Sequence, residues 1–343
     1  MASITATSQF HFEYPPQKVA WTKRDVILFA YSIGCNSTDQ LHYLYEKHPN
    51  FQMFPTYPIV LTFKYDSSEV VDFLARNNDS SRSPFSSPKL DWARAVDGRR
   101  RLRIYRQLPT SSADKRLSSS PSWEVRSRIL GVYDKGPGKG TVMELEHSIV
   151  DSVTGEVYTR SWETAFFLRT GGWGGERGPQ MEHFPVPTSR EHVMESFQTT
   201  GETAHLYRLN GDYNPLHASP DVGKALGYGD IIIHGLFSWN VVAQVVLRHY
   251  GEKRKDGKSY LLSFEARFAS PVKPGDKLDI SLWDMGLWGN EQLLEWNQQQ
   301  QKEKVKIGGK IREIRFLVKV GDRIVLSDGR ALLEELGTKQ SLL

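Results

Sequence analysis

Asp212, Asn214 and His217 stand on one short stretch, Gly211 to His217, reading GDYNPLH. Gly211 permits backbone conformations that other residues resist, and Pro215 stiffens the turn. A carboxylate and an imidazole held five positions apart on such a loop can share a bound water. One of the pair takes a proton from the water while the other delivers a proton to carbon, which is what hydration of an activated double bond requires. Asn214 is placed to orient either partner or the loop backbone. Taken alone, the same residues also suit a capped turn with a packed histidine. Spacing by itself does not decide, and the surrounding elements must.

The segment around this loop reads as one unit of helix followed by strands. A helical run at Ala204 to Leu209 precedes the loop, and the long apolar helix HGLFSWNVVAQVVLRHY follows it from His234. After a polar break at Glu252 to Lys258 come strand-like runs at Tyr260 to Phe268, Lys277 to Trp283, Ile311 to Val320 and Arg323 to Ser327. The Gln298 to Gln301 run between them reads as a solvated turn. The first half has the same order. Apolar residues from Val26 to Glu46 have helical spacing, and Phe54 to Lys64 reads as a buried helix or strand. Strands are predicted at Arg101 to Tyr105, Glu124 to Tyr133, Thr141 to Val150 and Val157 to Arg169. Polar, Ser- and Pro-rich stretches at Asn77 to Lys89 and Thr110 to Ser122 read as loops. A Gly-rich and then Pro-rich junction from Gly171 to Ser189 marks a boundary, giving units 1–185 and 186–343. Two successive helix-plus-sheet units predict a duplicated α+β fold.

Composition narrows the function classes. The chain has 343 residues, 39% apolar and 24% charged, the proportions of a soluble globular protein. No run approaches the roughly 18 apolar residues of a membrane span, and the N-terminal residues lack the pattern of a secretory signal. The 44 basic residues are offset by 40 acidic ones, so the charge argues for no nucleic-acid partner. The single cysteine, Cys35, cannot form an internal disulfide and reads as a small buried residue rather than a nucleophile. No Cys/His cluster has metal-ligand spacing, so no metal is expected. GGWGG follows a strand as a dinucleotide loop would, but ERGPQMEHFPVP after it is unsuited to a helix.

The longer stretch YRLNGDYNPLHASPDVGKALGYGDIIIHGL, Tyr207 to Leu236, resembles the signature of the MaoC-like (R)-specific enoyl-CoA hydratases, or hydratase 2. FEARFASPVKPGD is similar to the strand and turn that follow the central helix in that family. WTKRDVILFAYSIG, LYEKHPNFQMFPTYPIV, VYDKGPGKG and FFLRTGGWGG resemble the N-terminal part of its two-unit eukaryotic form. The resemblance implies a double hot-dog, two antiparallel sheets each wrapped on a central helix. It implies that Asp212 and His217 are the catalytic pair acting on a trans-2-enoyl thioester, with Asn214 holding the site together. It places the Gly235 N–H at the thioester oxygen, and makes His234 a substrate contact or a cap. Arg267 and Lys273, flanking the family-like turn, become candidates for contact with CoA. The first unit has no Asp and His in the loop order at Tyr31 to Leu41, so it is expected to accommodate the acyl chain.

On this reading the substrate is an acyl-CoA, no separate cofactor is needed, and a homodimer is an admissible assembly. The basic groups Arg99 to Arg103 and Lys253 to Lys258 are expected on a solvated charged face rather than at CoA phosphates. The chain departs from the family at Asn210, where a small hydroxyl residue is usual, and at LDWARAVDGRRRL, which lacks a His-Gly-Glu-like segment. These departures leave open a diverged dehydratase of a polyketide or specialised biosynthetic pathway. A silent acyl-binding protein and a thioester hydrolase are the other classes. The ending Ser341-Leu342-Leu343 resembles a peroxisomal signal with Leu at the basic position, so peroxisome and cytoplasm are both expected locations.

Overall fold

The computed structural model describes residues 11–73, 84, 88–90, 95–114, 122–251, 259–299 and 308–335. The expected loop at 77–89 lies mostly outside these residues; the basic group at 253–258 and the C-terminal tripeptide lie wholly outside them.

Eleven antiparallel strands form the frame. In the first half they are β1 (Phe12–Glu13), β2 (Gln17–Lys18), β3 (Ala95–Ile104), β4 (Trp123–Asp134), β5 (Thr141–Asp151) and β6 (Val157–Phe167). In the second half they are β7 (Val193–Gln198), β8 (Ser259–Phe268), β9 (Lys277–Leu287), β10 (Lys310–Val320) and β11 (Arg323–Glu335). The order β1-β4-β5-β6-β3-β8-β11-β10-β9-β7, with β2 also on β4, joins the two halves edge to edge through the β3–β8 pair. The α+β prediction holds, and the two expected sheets are continuous with one another. Joining them removes two open edges that would otherwise present unpaired N–H and C=O groups.

Helices α1 (Lys23–Ser32), α2 (Leu41–Leu44) and α3 (Leu61–Lys64) belong to the first half. Helices α4 (Thr203–Tyr207), α5 (Pro220–Ala225), α6 (Gly235–Val246) and α7 (Asn290–Gln299) belong to the second. α6 is buried along almost its whole length and packs on β8, β9 and β11. Trp239 meets Phe264 edge-on at 4.5 Å, and Phe264 stacks on Phe316 at 4.9 Å. Each such buried side chain contributes on the order of 1.5–3 kcal/mol. One apolar cluster runs from Trp21 and Phe29 in the first half to Phe237 and Phe316 in the second.

Several predicted elements differ. The helix expected over Val26 to Glu46 stops at Ser32, because Gly34 takes φ +90° and closes a Schellman turn. Its N–H donates to the Tyr31 carbonyl, and that of Cys35 to the Ala30 carbonyl. α1 begins with a capping box between Thr22 and Asp25. Phe54 to Lys64 is a 3₁₀ turn over Tyr57–Val60 that runs into α3. β11 continues past the expected stop at Ser327, through Asp328 at φ 49° and Gly329, because a bulge absorbs the turn-like pair. Gln298 and Gln299 end α7 rather than forming a turn, while 300 and 301 fall outside the described residues. The short edge strand β7 was not predicted.

The glycine-rich stretch GGWGG has a structural task. The Asp134 carboxylate accepts hydrogen bonds from Gly136 N–H (2.7 Å), Gly172 N–H (2.7 Å) and Gly174 N–H (2.8 Å). These bonds tie the β4–β5 turn to the chain leaving β6. Burial works against the Asp134 charge, but the N–H groups of Gly172, Gly136 and Gly174 outweigh it and hold the carboxyl below its ordinary range.

The halves also meet through buried polar pairs. Thr56 donates to the Asn240 side-chain oxygen, and Gln244 donates to that of Gln40. Asn210 donates to Ser32 Oγ at 2.9 Å and to the Tyr207 carbonyl at 2.8 Å, which gives the unusual asparagine a structural role across the interface. Gly211, at φ +113°, is pressed on α3 so closely that an added Cβ would sit 2.9 Å from the Lys64 Cα. Gly211→Ala is therefore expected to lower unfolding free energy by about 1–3 kcal/mol, read from the urea midpoint. Asp134→Ala leaves three N–H groups without their acceptor and should cost a similar about 1–3 kcal/mol at neutral pH. Because the folded Asp134 carboxyl is depressed, its contribution is present above the unfolded value near ~3.9. The parent–variant difference should accordingly shrink as pH falls through that region, and a constant difference would contradict the assignment.

Candidate active site

The catalytic loop is built by local hydrogen bonding. After a 3₁₀ turn over Arg208–Asn210, the left-handed Gly211 turns the chain out toward a cavity. The Asp212 carboxylate accepts the Asn214 backbone N–H at 3.2 Å, and Asn214 Oδ1 accepts the Leu216 N–H at 3.0 Å. Asn214 thus caps the short turn Pro215–His217. The turn delivers His217 to a buried position.

His217 Nδ1 lies 2.7 Å from the Ile232 carbonyl. A carbonyl only accepts, so Nδ1 carries the proton and Nε2 keeps its lone pair. Burial lowers the His217 pKa below its ordinary value; Asp212 pulls the other way without reversing it. His234 stacks on His217, with ring centroids 3.6 Å apart. Its Nε2–H donates to the Asp212 backbone carbonyl at 3.1 Å. Burial, and then the neighbouring His217, hold His234 well below its ordinary pKa. Two stacked imidazolium rings would repel, which adds to the preference of this pair for the uncharged form.

Side-chain nitrogens of His217 and His234 and an Asp212 oxygen lie within 4.8 Å of one another, a grouping that sequence spacing did not reveal. Ring stacking argues against a metal there. Imidazole lone pairs lie in the ring plane, and nearly parallel rings 3.6 Å apart do not aim them at one point. The cluster is arranged around the proton-accepting edge of His217 beside a carboxylate.

α6 starts at this cluster. His234 is its N-cap without a side-chain capping bond, so the first amides of the helix remain available. Gly235 lines the cavity, and an added Cβ would press on the Phe268 ring at 3.0 Å. The amide groups at a helix start carry partial positive charge, suited to an oxygen that becomes negative.

The cavity, of about 620 Å³, is shared between the halves. Asp212, Asn214, His217, His234 and Gly235 all border it. Arg267 does not: Phe268 faces the cavity, and strand alternation turns Arg267 to the exposed side. Lys273 sits on the exposed turn just after Ser270, Pro271 and Val272, which form part of the rim. The predicted solvated face at 99–103 is also revised. Arg101 stacks on Trp162 at 4.1 Å, and Arg103 on Trp296 at 4.2 Å, both half-buried. Arg100 points the other way, into the cavity with Asp97, Glu163, His147 and Ser127. Sequence reasoning missed these five; alternation along β3, with Leu102 buried on the same side as Arg100, was the available signal. Cys35 is a buried thiol away from the cavity lining.

Comparison with known proteins agrees with this architecture. Residues 186–307 match the MaoC like domain, and residues 19–170 match the MFE-2 hydratase 2 N-terminal domain. A probable dehydratase of Ajellomyces capsulatus is 55% identical over 94% of this chain and 81% of its own length. A probable enoyl-CoA hydratase 2 of Dictyostelium discoideum is 29% identical over 76% of this chain and 81% of its own. The crystal structure of a MaoC-like dehydratase from Phytophthora capsici covers 98% of both chains at a TM-score of 0.72 and 23% identity. That likeness shows the double hot-dog fold. By these matches the chain belongs to the MaoC-like dehydratase family, in its two-unit form with a hydratase 2 N-terminal domain.

Proposed function

We propose that the protein is a hydro-lyase that adds water to a trans-2-enoyl-CoA, or removes it from the (3R)-hydroxyacyl-CoA. The observation that carries this reading is His217, its Nδ1 held by the Ile232 carbonyl and a ring nitrogen within 4.8 Å of an Asp212 oxygen, at the start of α6. A single water can donate one hydrogen bond to Asp212 and the other to His217 Nε2. His217 takes a proton as the water oxygen bonds to C3, and the C2=C3 electron pair moves toward the thioester carbonyl. The Gly235 N–H stabilises the resulting enolate oxygen. The His217 imidazolium then returns the proton to C2, so one molecule of water is consumed and the two new bonds form on one face. Asp212 orients the water and balances the transient imidazolium. This sequence uses water and protein groups alone, and CoA enters only as part of the substrate. The Asn214 bonds keep both partners in place.

The first unit, 1–185, contributes the far wall of the acyl cavity, and the second, 186–343, carries the chemistry. Relatives named peroxisomal, including enoyl-CoA hydratase 2 of Arabidopsis thaliana, favour the peroxisome over the cytoplasm as the location. No helix among the described residues is long and apolar enough to cross a membrane.

Purified protein is expected to hydrate crotonyl-CoA or a longer enoyl-CoA. Asp212→Asn and His217→Ala should each lower turnover by a factor on the order of 10² or more while leaving the fold intact. Parent-like rates in both variants would refute the assignment. Because His217 acts uncharged and burial depresses its pKa, the acid limb of kcat/KM should lie below the ordinary imidazole value near ~6.5. A limb above that value would contradict the buried, Nδ1-bonded imidazole.

A further inference from the structure

Beside apolar side chains such as Phe63, Leu145 and Ala165, the first half puts a polar row on the wall of the cavity. Asp97 and Arg100 of β3, Glu163 of β6, His147 of β5 and Ser127 of β4 all face it. Strand register explains why they form a row. Ser127 pairs across from His147 on the β4–β5 ladder, and Glu163 pairs across from Arg100 on the β3–β6 ladder. Asp97 and Arg100 are three residues apart, which on a regular strand would send them to opposite faces. A bulge between Asp97 and Arg99, at Gly98, turns both inward.

The row is connected but not saturated. Arg100 holds Asp97 through Nε at 3.0 Å and Nη2 at 2.8 Å, and its Nη1 lies 2.5 Å from Glu163. Ser127 Oγ and His147 Nδ1 share a hydrogen bond of 2.8 Å. Among the described residues His147 Nε2 makes no hydrogen bond, although it lies 3.5 Å from a Glu163 oxygen. Arg100 and His147 are only 6% and 8% exposed. Burial also pushes the Asp97 carboxyl up to about 6 against the pull of Arg100. An alkyl chain filling this end would seal the unsatisfied His147 Nε2 away from water, at about 1–3 kcal/mol.

We propose that this row binds a hydroxyl group carried by the acyl chain beyond C3, so that the preferred substrate is a hydroxylated enoyl thioester. The inference rests on the hydratase reading for the thioester end only. A hydroxyl both donates and accepts, so it suits His147 Nε2 in either tautomer while also accepting from Arg100. A carboxylate suits the row less, because Asp97 and Glu163 already face the one guanidinium.

Titration calorimetry with saturated thioesters tests this independently of turnover. A series from butyryl-CoA to decanoyl-CoA is compared with the ω-hydroxy counterparts on the parent and on His147→Phe and Glu163→Gln. The parent should bind a hydroxylated chain of matching length about tenfold more tightly than its plain counterpart. Both variants, checked by thermal melting, should lose that ratio. Equal or weaker binding of every hydroxylated chain overturns the proposal, as does a preference that survives both substitutions. A preference erased by the variants in a protein that hydrates no enoyl-CoA would support the row and refute the hydratase reading instead.

Discussion

The hydrogen bond from His217 Nδ1 to the Ile232 carbonyl, 2.7 Å long, is the constraint on which the site depends. It fixes which ring nitrogen carries the proton and aims the other at the cavity. Its acceptor is itself held, because the next residue, Ile233, bridges to Val272 before the chain enters α6. The same few residues therefore set the tautomer of His217 and the start of α6 at the cavity. Stacking of His234 on His217, with the His234 Nε2–H spent on the Asp212 backbone, locks the loop from its other side.

The first half is bound up with this arrangement. Lys64 of α3 presses against Gly211, Ser32 of α1 accepts from Asn210, and Gln40 meets Gln244 within the core. Continuity of the sheet through β3 and β8 carries the first half's inner face up to the catalytic loop. The first half thus supplies both the backing for the loop and part of the cavity wall.

Much of this was legible in the sequence, for physical reasons that also mark the limits. GDYNPLH was readable because its glycine, proline and Asx residues specify a turn without help from distant contacts. The long strands of both halves were readable from alternation, and α6 from its continuous apolar run. The end of α1 was missed because Gly34 acts through a Schellman turn within a stretch of otherwise helical spacing. β11 was cut short because Asp328–Gly329 looks like a turn, whereas cross-strand pairing carries the chain through it as a bulge. Arg100 was hidden among five consecutive residues that include four arginines, Arg99 to Arg103, and only the Gly98 bulge shows that it shares a face with Asp97. His234 was visible as a helix-start residue, but its stacking on His217 depends on tertiary packing.

The central claim is that one base on one face moves a single proton from water to C2. Hydration of an enoyl-CoA in deuterium oxide, with stereochemical analysis of the product, tests it most directly. The account predicts one deuterium at C2, syn to the hydroxyl added at C3, with the R configuration at C3. Anti addition, the S product, or release of free CoA and acid in place of hydration would contradict it.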